Sequence, residues 1–204
     1  MEEYLARSAS GQASRRPLVT LSRLLLKNRS HRGYDPRFIV REDQLRRIIG
    51  VNTRIPSARN QQVLRFRPVL ADEAPGVLAE IRLGGALPEL HLPLPGTGPN
   101  AFIIVCSPVP EDRYVDIALG ISVPSMLLPA ADIGLNGICI GAFDKERIRP
   151  KSHLESEPLL ILAIGKGIEK IELVEISEND DHRYFRKDGI HYVPKVRVED
   201  LIIG

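Results

Sequence analysis

The sequence has no tryptophan, and in 204 residues only two cysteines, two methionines and five each of phenylalanine and tyrosine. So few aromatic faces leave little material for the stacking platforms that hold single-stranded nucleic acids. A net charge of +2 excludes strong whole-molecule attraction to nucleic acid or to a membrane surface. Cys106 and Cys139 lie in the apolar runs AFIIVCS and GICIGAF without metal-ligand spacing, so both are expected as buried, reduced small hydrophobes. The five histidines show no ligand spacing, and HExxH, GxSxG, GxGxxG and GxxxxGK[ST] are all missing. No metal is expected. The apolar, uncharged run between Asp116 and Asp132 is short and interrupted by Pro124 and Pro129, so no membrane span is expected. The N-terminus, MEEYLARSASGQASRRP, lacks the apolar core of a signal peptide. A cytoplasmic location is expected.

What is present suits one globular domain: 43% apolar and 26% charged residues. Residues 1–16 read as a flexible leader and 17–204 as the domain. Pro17 opens a helical pattern carrying Leu18, Leu21, Leu24 and Leu25, and Glu42 and Asp43 open a second with Leu45, Ile48 and Ile49. VLRFRPVL alternates like a half-solvated strand, and a short helix is expected over 74–83. GGALPELHLPLPGTGP reads as a long loop or lid, and AFIIVC as a strand at the centre of a sheet. Tyr114 to Leu135 is apolar on nearly every side, which predicts a buried helix kinked or split by Pro124 and Pro129. Asp144 is a candidate cap for DKERI, while GICIGAF and LLILAIG are buried strands. KIELVEI and GIHYVPKV are hairpin-like pieces joined by a charged turn. The order predicts an α+β fold.

Ten arginines fall between Arg29 and Arg67, enough for a local anion site or a nucleic-acid-binding surface. In NRSHRGY, Arg29 and Arg32 bracket Ser30, and guanidinium forks with a hydroxyl suit phosphate oxygens. In PSARNQQ, Pro56 and Ser57 open a turn, while Asn60 and Gln62 offer both donors and acceptors to the edge of a heterocycle. In VPKVRVED, Lys195 and Arg197 are two apart and so face one way on a strand, a cradle for phosphate or carboxylate. Read alone, each has a plainer account: a solvated basic turn, a capped helix start and an edge strand protected by charge.

Taken together and in order, these motifs resemble the nitroreductase-like FMN-dependent oxidoreductases from about residue 18 to the end. NRSHRGY is similar to the family's Arg-Arg-Ser-x-Arg turn, and PSARNQQV to its Pro-Ser-x-x-Asn-x-Gln-Pro motif. LLPAADIGLNG is similar to the end of its central helix, GAFD to a Gly-Phe segment, and KVR to a C-terminal Lys-x-Arg. Asn28, Val63 and Ile140 depart from the arginine, the proline and, in some members, the glutamate found there.

The resemblance implies a nitroreductase-like fold, a central, mainly antiparallel sheet flanked by helices, with terminal segments exchanged in a homodimer. It implies that Arg29, Ser30 and Arg32, with Lys195 and Arg197, bind the FMN phosphate. Ser57, Ala58 and Asn60 would meet the ribityl chain and the pyrimidine edge, with Pro56 setting the turn and Gln62 a weaker contact. Ile140 and Gly141 would lie against the flavin ring. The flavin carries the chemistry, so no catalytic side chain is assigned. The implied activity takes hydride from NADH or NADPH and reduces a small electrophile such as a nitroaromatic, quinone or enone. The alternative is a flavin-binding or flavin-processing relative without such turnover.

Overall fold

The computed structural model describes residues 20–85, 87 and 90–204; the expected leader and the helix start at Pro17 lie outside the described residues. Four strands, β1 (Arg65–Val69), β2 (Ala101–Ser107), β3 (Asn136–Ile140) and β4 (Glu157–Gly165), form an antiparallel sheet in the order β1-β2-β4-β3. Every residue of β2 is buried because helices cover both faces. Ala101, Ile103 and Val105 pack with Leu45, Ile48, Val123 and Met126, whereas Phe102, Ile104 and Cys106 pack with Ala74, Val77 and Ile148. The strict alternation of a strand thus divides one apolar run between two cores, which is why AFIIVC carries no polar position.

The first core is closed by α2 (Glu42–Ile49) and α4 (Arg113–Asp132), the second by α3 (Ala74–Leu78) and α5 (Lys145–Lys151). Asp144 caps α5 by accepting from the Arg147 N–H at 3.1 Å, as its position predicts. α4 is a single helix, not two, although Pro124 and Pro129 lie inside it. Pro124 cannot donate to the Gly120 carbonyl, but both residues are exposed, so water can serve that carbonyl. By length and composition alone α4 could cross a membrane. Here Val115, Ala118, Ser122, Met126 and Ala130 lie buried at helical spacing, and Val123, Met126, Leu127 and Ala130 pack in the core between the sheet and α2.

α1 (Leu21–Lys27) has no buried residue, and Leu21, Leu25 and Leu26 are exposed. At the other end of the chain, β5 (Lys170–Ile176), β6 (Phe185–Lys187) and β7 (Ile190–Val196) form a second sheet, followed by α6 (Val198–Leu201). KIELVEI and GIHYVPKV do not make a hairpin with each other. They run parallel, and the short β6 takes the antiparallel place beside β7.

The cysteines differ from expectation in one respect. Cys106 is buried, but Cys139 is exposed because β3 is an edge strand and its outer side chain lacks a covering helix. Two strand spacings, about 9–10 Å, separate β2 from β3, beyond the reach of a disulfide, and both thiols are free.

Candidate functional site

NRSHRGY leaves α1 and joins the sheet edge. Ser30 bridges to Gly137 in parallel, and the His31 N–H donates to the Gly137 carbonyl at 3.4 Å. Asn136 fastens this junction: its Nδ2 donates to the Lys27 carbonyl at 3.3 Å, and its Oδ1 accepts from the Gly167 N–H at 3.2 Å. Tyr34 is buried, donates its hydroxyl to the His31 carbonyl at 2.8 Å, and sends its N–H to the Thr97 carbonyl at 2.9 Å. The long segment after Gly84 is therefore anchored at this turn through Thr97. Burial pushes the Tyr34 phenol well above its ordinary range.

The two arginines of the turn part company. Arg29 is half-buried; its Nη2 donates to the Leu25 carbonyl at 2.6 Å, its Nε is buried without a partner, and burial lowers its pKa. Beside it Ser30 is exposed. Arg32 instead points inward and is only 8% exposed. Its guanidinium lies 4.7 Å from the Tyr184 ring centroid, and Nη1 donates to the Ser30 carbonyl at 3.2 Å. Nη1 also faces His191 Nε2 at 3.4 Å, a contact that requires a neutral imidazole carrying its proton on Nδ1.

Glu169 completes this cluster. Its Oε2 accepts the backbone N–H of Arg32 and that of Gly33 (3.1 Å), and its Oε1 accepts from Arg186 Nη2. His31 Nδ1 stands 4.0 Å from the same carboxylate. Desolvation lowers the pKa of both His31 and His191, with Arg32 adding to the effect and Glu169 opposing it.

PSARNQQ forms a tight loop. Ser57 Oγ accepts from the Gln62 N–H at 3.1 Å, a short 3-10 turn spans Ala58–Asn60, and Gln62 Nε2 donates to Asn60 Oδ1 at 3.1 Å. Arg59, Asn60 and Gln62 adopt left-handed backbone angles. The guanidinium of Arg59 stacks on the Tyr114 ring at 3.6 Å and bonds its hydroxyl, fixing the loop to the start of α4. Pro56, Ser57 and Gln62 open onto a cavity of about 680 Å³ whose walls include Ile49, Phe66 and Ala118.

At the far end of β3, Ile140 is buried opposite Ile161, while Gly141 is exposed at a 510 Å³ cleft shared with Glu80, Arg82 and Arg147. Lys195 is exposed on β7, about 13 Å along the strand from His191. Arg197 follows the strand and donates from Nε to Asp200 Oδ2 at 3.1 Å.

The structure therefore sets Arg29, Ser30 and Arg32 on one turn, with the Arg32 side chain directed inward, and Pro56, Ser57, Ala58 and Asn60 on one loop, but keeps the turn and the loop apart. The first lies at the β3 edge and the second beside β1, with a sheet width of about 14 Å between those strands. The basic stretch is also less basic than its composition. Arg37, Arg41, Arg46, Arg47 and Arg67 pair with carboxylates. Among the described residues no three metal-ligating side chains cluster.

No protein-family model and no curated protein matches the sequence. Solved structures do match in shape. A nitroreductase family protein from Streptococcus pneumoniae TIGR4 aligns over 75% of this chain and 93% of its own, with a TM-score of 0.62 and 16% identity. The chain has the nitroreductase fold. A structure from Exiguobacterium sibiricum 255-15 solved in complex with FMN aligns over 76% of this chain and 91% of its own, with a TM-score of 0.62 and 17% identity. A mutant of an FMN and NADPH-dependent nitroreductase from sphigopyxis sp. strain HMH aligns over 73% of this chain and 88% of its own, with a TM-score of 0.61 and 17% identity.

Within this nitroreductase fold, sequence reasoning missed Glu169, Tyr184, Arg186 and His191. Glu169, Tyr184 and His191 meet partners in the turn up to 159 residues away, and Arg186 joins them through Glu169, so local spacing carries no sign of them. A faint signal existed in GKG. A Cβ on Gly165 would stand 2.6 Å from the Tyr34 ring, and one on Gly167 would meet His31 at 2.2 Å.

Proposed function

We propose that the protein is an FMN-dependent oxidoreductase that takes hydride from NADH or NADPH and reduces a small electrophile of the nitroaromatic, quinone or enone type. The observation that carries this reading is the donor pair at the turn. Arg29 has a buried Nε without a partner beside the exposed Ser30, on a fold shared with a structure solved with FMN. An anion such as a phosphate is what that pair lacks.

Arg29 and Ser30 would hold the phosphate, with Arg32 adding charge from behind the turn. Ser57, Ala58 and Asn60 would orient the ribityl chain and the pyrimidine edge, and Ile140 with Gly141 would face the ring and exclude water. The bound flavin would supply hydride transfer between the nicotinamide and the acceptor. The two groups of residues lie at opposite sheet edges of one chain, so the reading requires two copies. Each copy would give its turn to one site and its PSARNQQ loop to the other, with Lys195 and Arg197 reaching across. Exposed leucines on α1 and exposed Leu201, Ile202 and Ile203 at the C-terminus support such an exchange. The cytoplasm, where reduced nicotinamide is supplied, is the proposed compartment.

A flavin-binding protein without turnover is the second reading. Asn28 in place of an arginine, and the inward turn of Arg32, favour it.

The deciding experiment is a visible spectrum of the protein mixed with FMN, taken before and after anaerobic addition of NADH or NADPH. Flavin bands that co-purify or bind and then bleach are expected. Bands that bind and persist with both nucleotides would shift the assignment to the second reading, and refusal of FMN would overturn both.

A further inference from the structure

Glu169 sits at an unusual crossing of contacts. One of its oxygens is spent on the backbone of the turn, taking the N–H groups of Arg32 and Gly33, and the other on the side chain of Arg186 in β6. Its side chain is 8% exposed, and around it stand two guanidiniums and two imidazoles: Arg32, Arg186, His31 and His191. Among the described residues Glu169 is the one carboxylate that pairs with any of these four.

The cluster is also short of partners. Among the described residues, His31 Nδ1, Arg32 Nε, Arg186 Nε and His191 Nδ1 are buried without a hydrogen-bond partner, as is Arg29 Nε nearby in the turn. A polar network satisfied at so few points depends heavily on the charge that remains. Two separate parts of the chain share that charge. The turn carrying Arg29 and Ser30 is fixed through Arg32 and Gly33, and the C-terminal sheet is fixed through Arg186 and, by way of Arg32, His191.

We propose that Glu169 is a positioning residue that locks the 29–34 turn to the C-terminal sheet, so that the turn's grip on an anion depends on a carboxylate the anion never touches. The lock itself stands on the contacts above; its consequence for phosphate rests on the flavin reading. Because the link runs both ways, an anion held by Arg29 and Ser30 tightens β6 and β7, and loosening β6 weakens the grip.

The test uses the full chain carrying Glu169→Gln, which keeps the shape and one acceptor oxygen but removes the charge. Amide hydrogen exchange at residues 32–34 and 186–191 is expected to quicken together, by about ten-fold or more, while exchange in β2 stays as in the wild type. Arg186→Gln serves as the second variant, since among the described residues Arg186 hydrogen-bonds only the far oxygen of Glu169 and none of the turn. The lock predicts faster exchange at Arg32 and Gly33 in this variant too. A change confined to β6, or no change at the turn in either variant, would overturn the proposal. So would a uniform loss of protection through β2 in both variants, which marks a general loss of stability.

Affinities for FMN and for riboflavin, which lacks the phosphate, separate the two ideas. With the lock, Glu169→Gln lowers FMN affinity about ten-fold while riboflavin binding is little changed. A wild type that binds neither flavin sinks the flavin reading and leaves exchange to decide the lock. A variant that keeps the full preference for FMN sinks the phosphate consequence.

Discussion

Gly167 lets the His31 ring lie directly against the backbone: a Cβ on residue 167 would stand 2.2 Å from His31 Nδ1. No real contact is that short, so Gly167→Ala must push the imidazole out of its place beside Glu169. Overpacking of this kind costs about 1–3 kcal/mol. Denaturant unfolding is expected to show a loss of that order, with exchange at residues 31–34 quickening. An unchanged midpoint would mean that the His31 ring does not occupy this position in solution.

The same cluster sets a pH dependence. His31 and His191 both have pKa values lowered by burial, aided by Arg32 and opposed by Glu169, with Arg186 and His31 also acting on His191. A histidine whose folded pKa lies below its unfolded value of about 6.5 binds fewer protons folded than unfolded. Its neutral form stabilises the fold above pH 6.5, and that contribution is lost as pH falls toward the folded pKa. The urea midpoint should therefore be lower at pH 5.5 than at pH 7.5, and His191→Gln, which retains an acceptor for Arg32, should flatten part of the difference. A midpoint that rises on acidification would show that the imidazoles are charged in the native state.

Much of the fold was legible because its signals are local. Asp144 caps α5 three residues ahead of its bonded N–H, and AFIIVC announces a strand covered on both faces. The continuity of α4 was not legible, because it depends on Gly120 and Pro124 facing water, a matter of tertiary orientation. KIELVEI and GIHYVPKV looked like neighbours in a hairpin because they are close in sequence. The three residues of β6 take that antiparallel pairing, and nothing in their composition declares it. Arg29 and Arg32 look alike in the sequence, yet one stays half-buried at the edge while the other turns inward to Tyr184 and His191, its backbone N–H held by Glu169. That difference is set by groups more than a hundred residues away.

Arg59 and Tyr114 give a prediction for the PSARNQQ loop. Their stacked contact is largely exposed, so Tyr114→Ala should cost stability only about 0.5–1 kcal/mol. Its larger effect should fall on the loop, whose left-handed residues need an outside anchor. FMN affinity is expected to drop in Tyr114→Ala and to drop less in Tyr114→Phe, which keeps the ring and loses the hydroxyl. Titration of flavin fluorescence measures both; equal affinity in all three proteins would remove the loop from the site.

The proposed two-copy site makes the most demanding prediction. One chain leaves Leu21 and Leu26 of α1, Ile117 of α4 and Leu201, Ile202 and Ile203 exposed, apolar side chains that a second copy would cover in the proposed arrangement. If these surfaces cover one another across a two-fold axis, light scattering should give twice the chain mass at micromolar concentration. A buried carboxylate at such an interface is strongly unfavourable, so Leu26→Glu and Leu201→Glu should each shift the mass toward the monomer. The loop and the turn would then separate, and FMN binding should fall with the dimer fraction, even though the four-stranded sheet within each chain keeps its unfolding transition. Dilution of the wild type gives the same test without a mutation, since flavin release should track dissociation. A wild-type monomer that binds one FMN tightly would show that the loop beside β1 and the turn on β3 do not share a flavin.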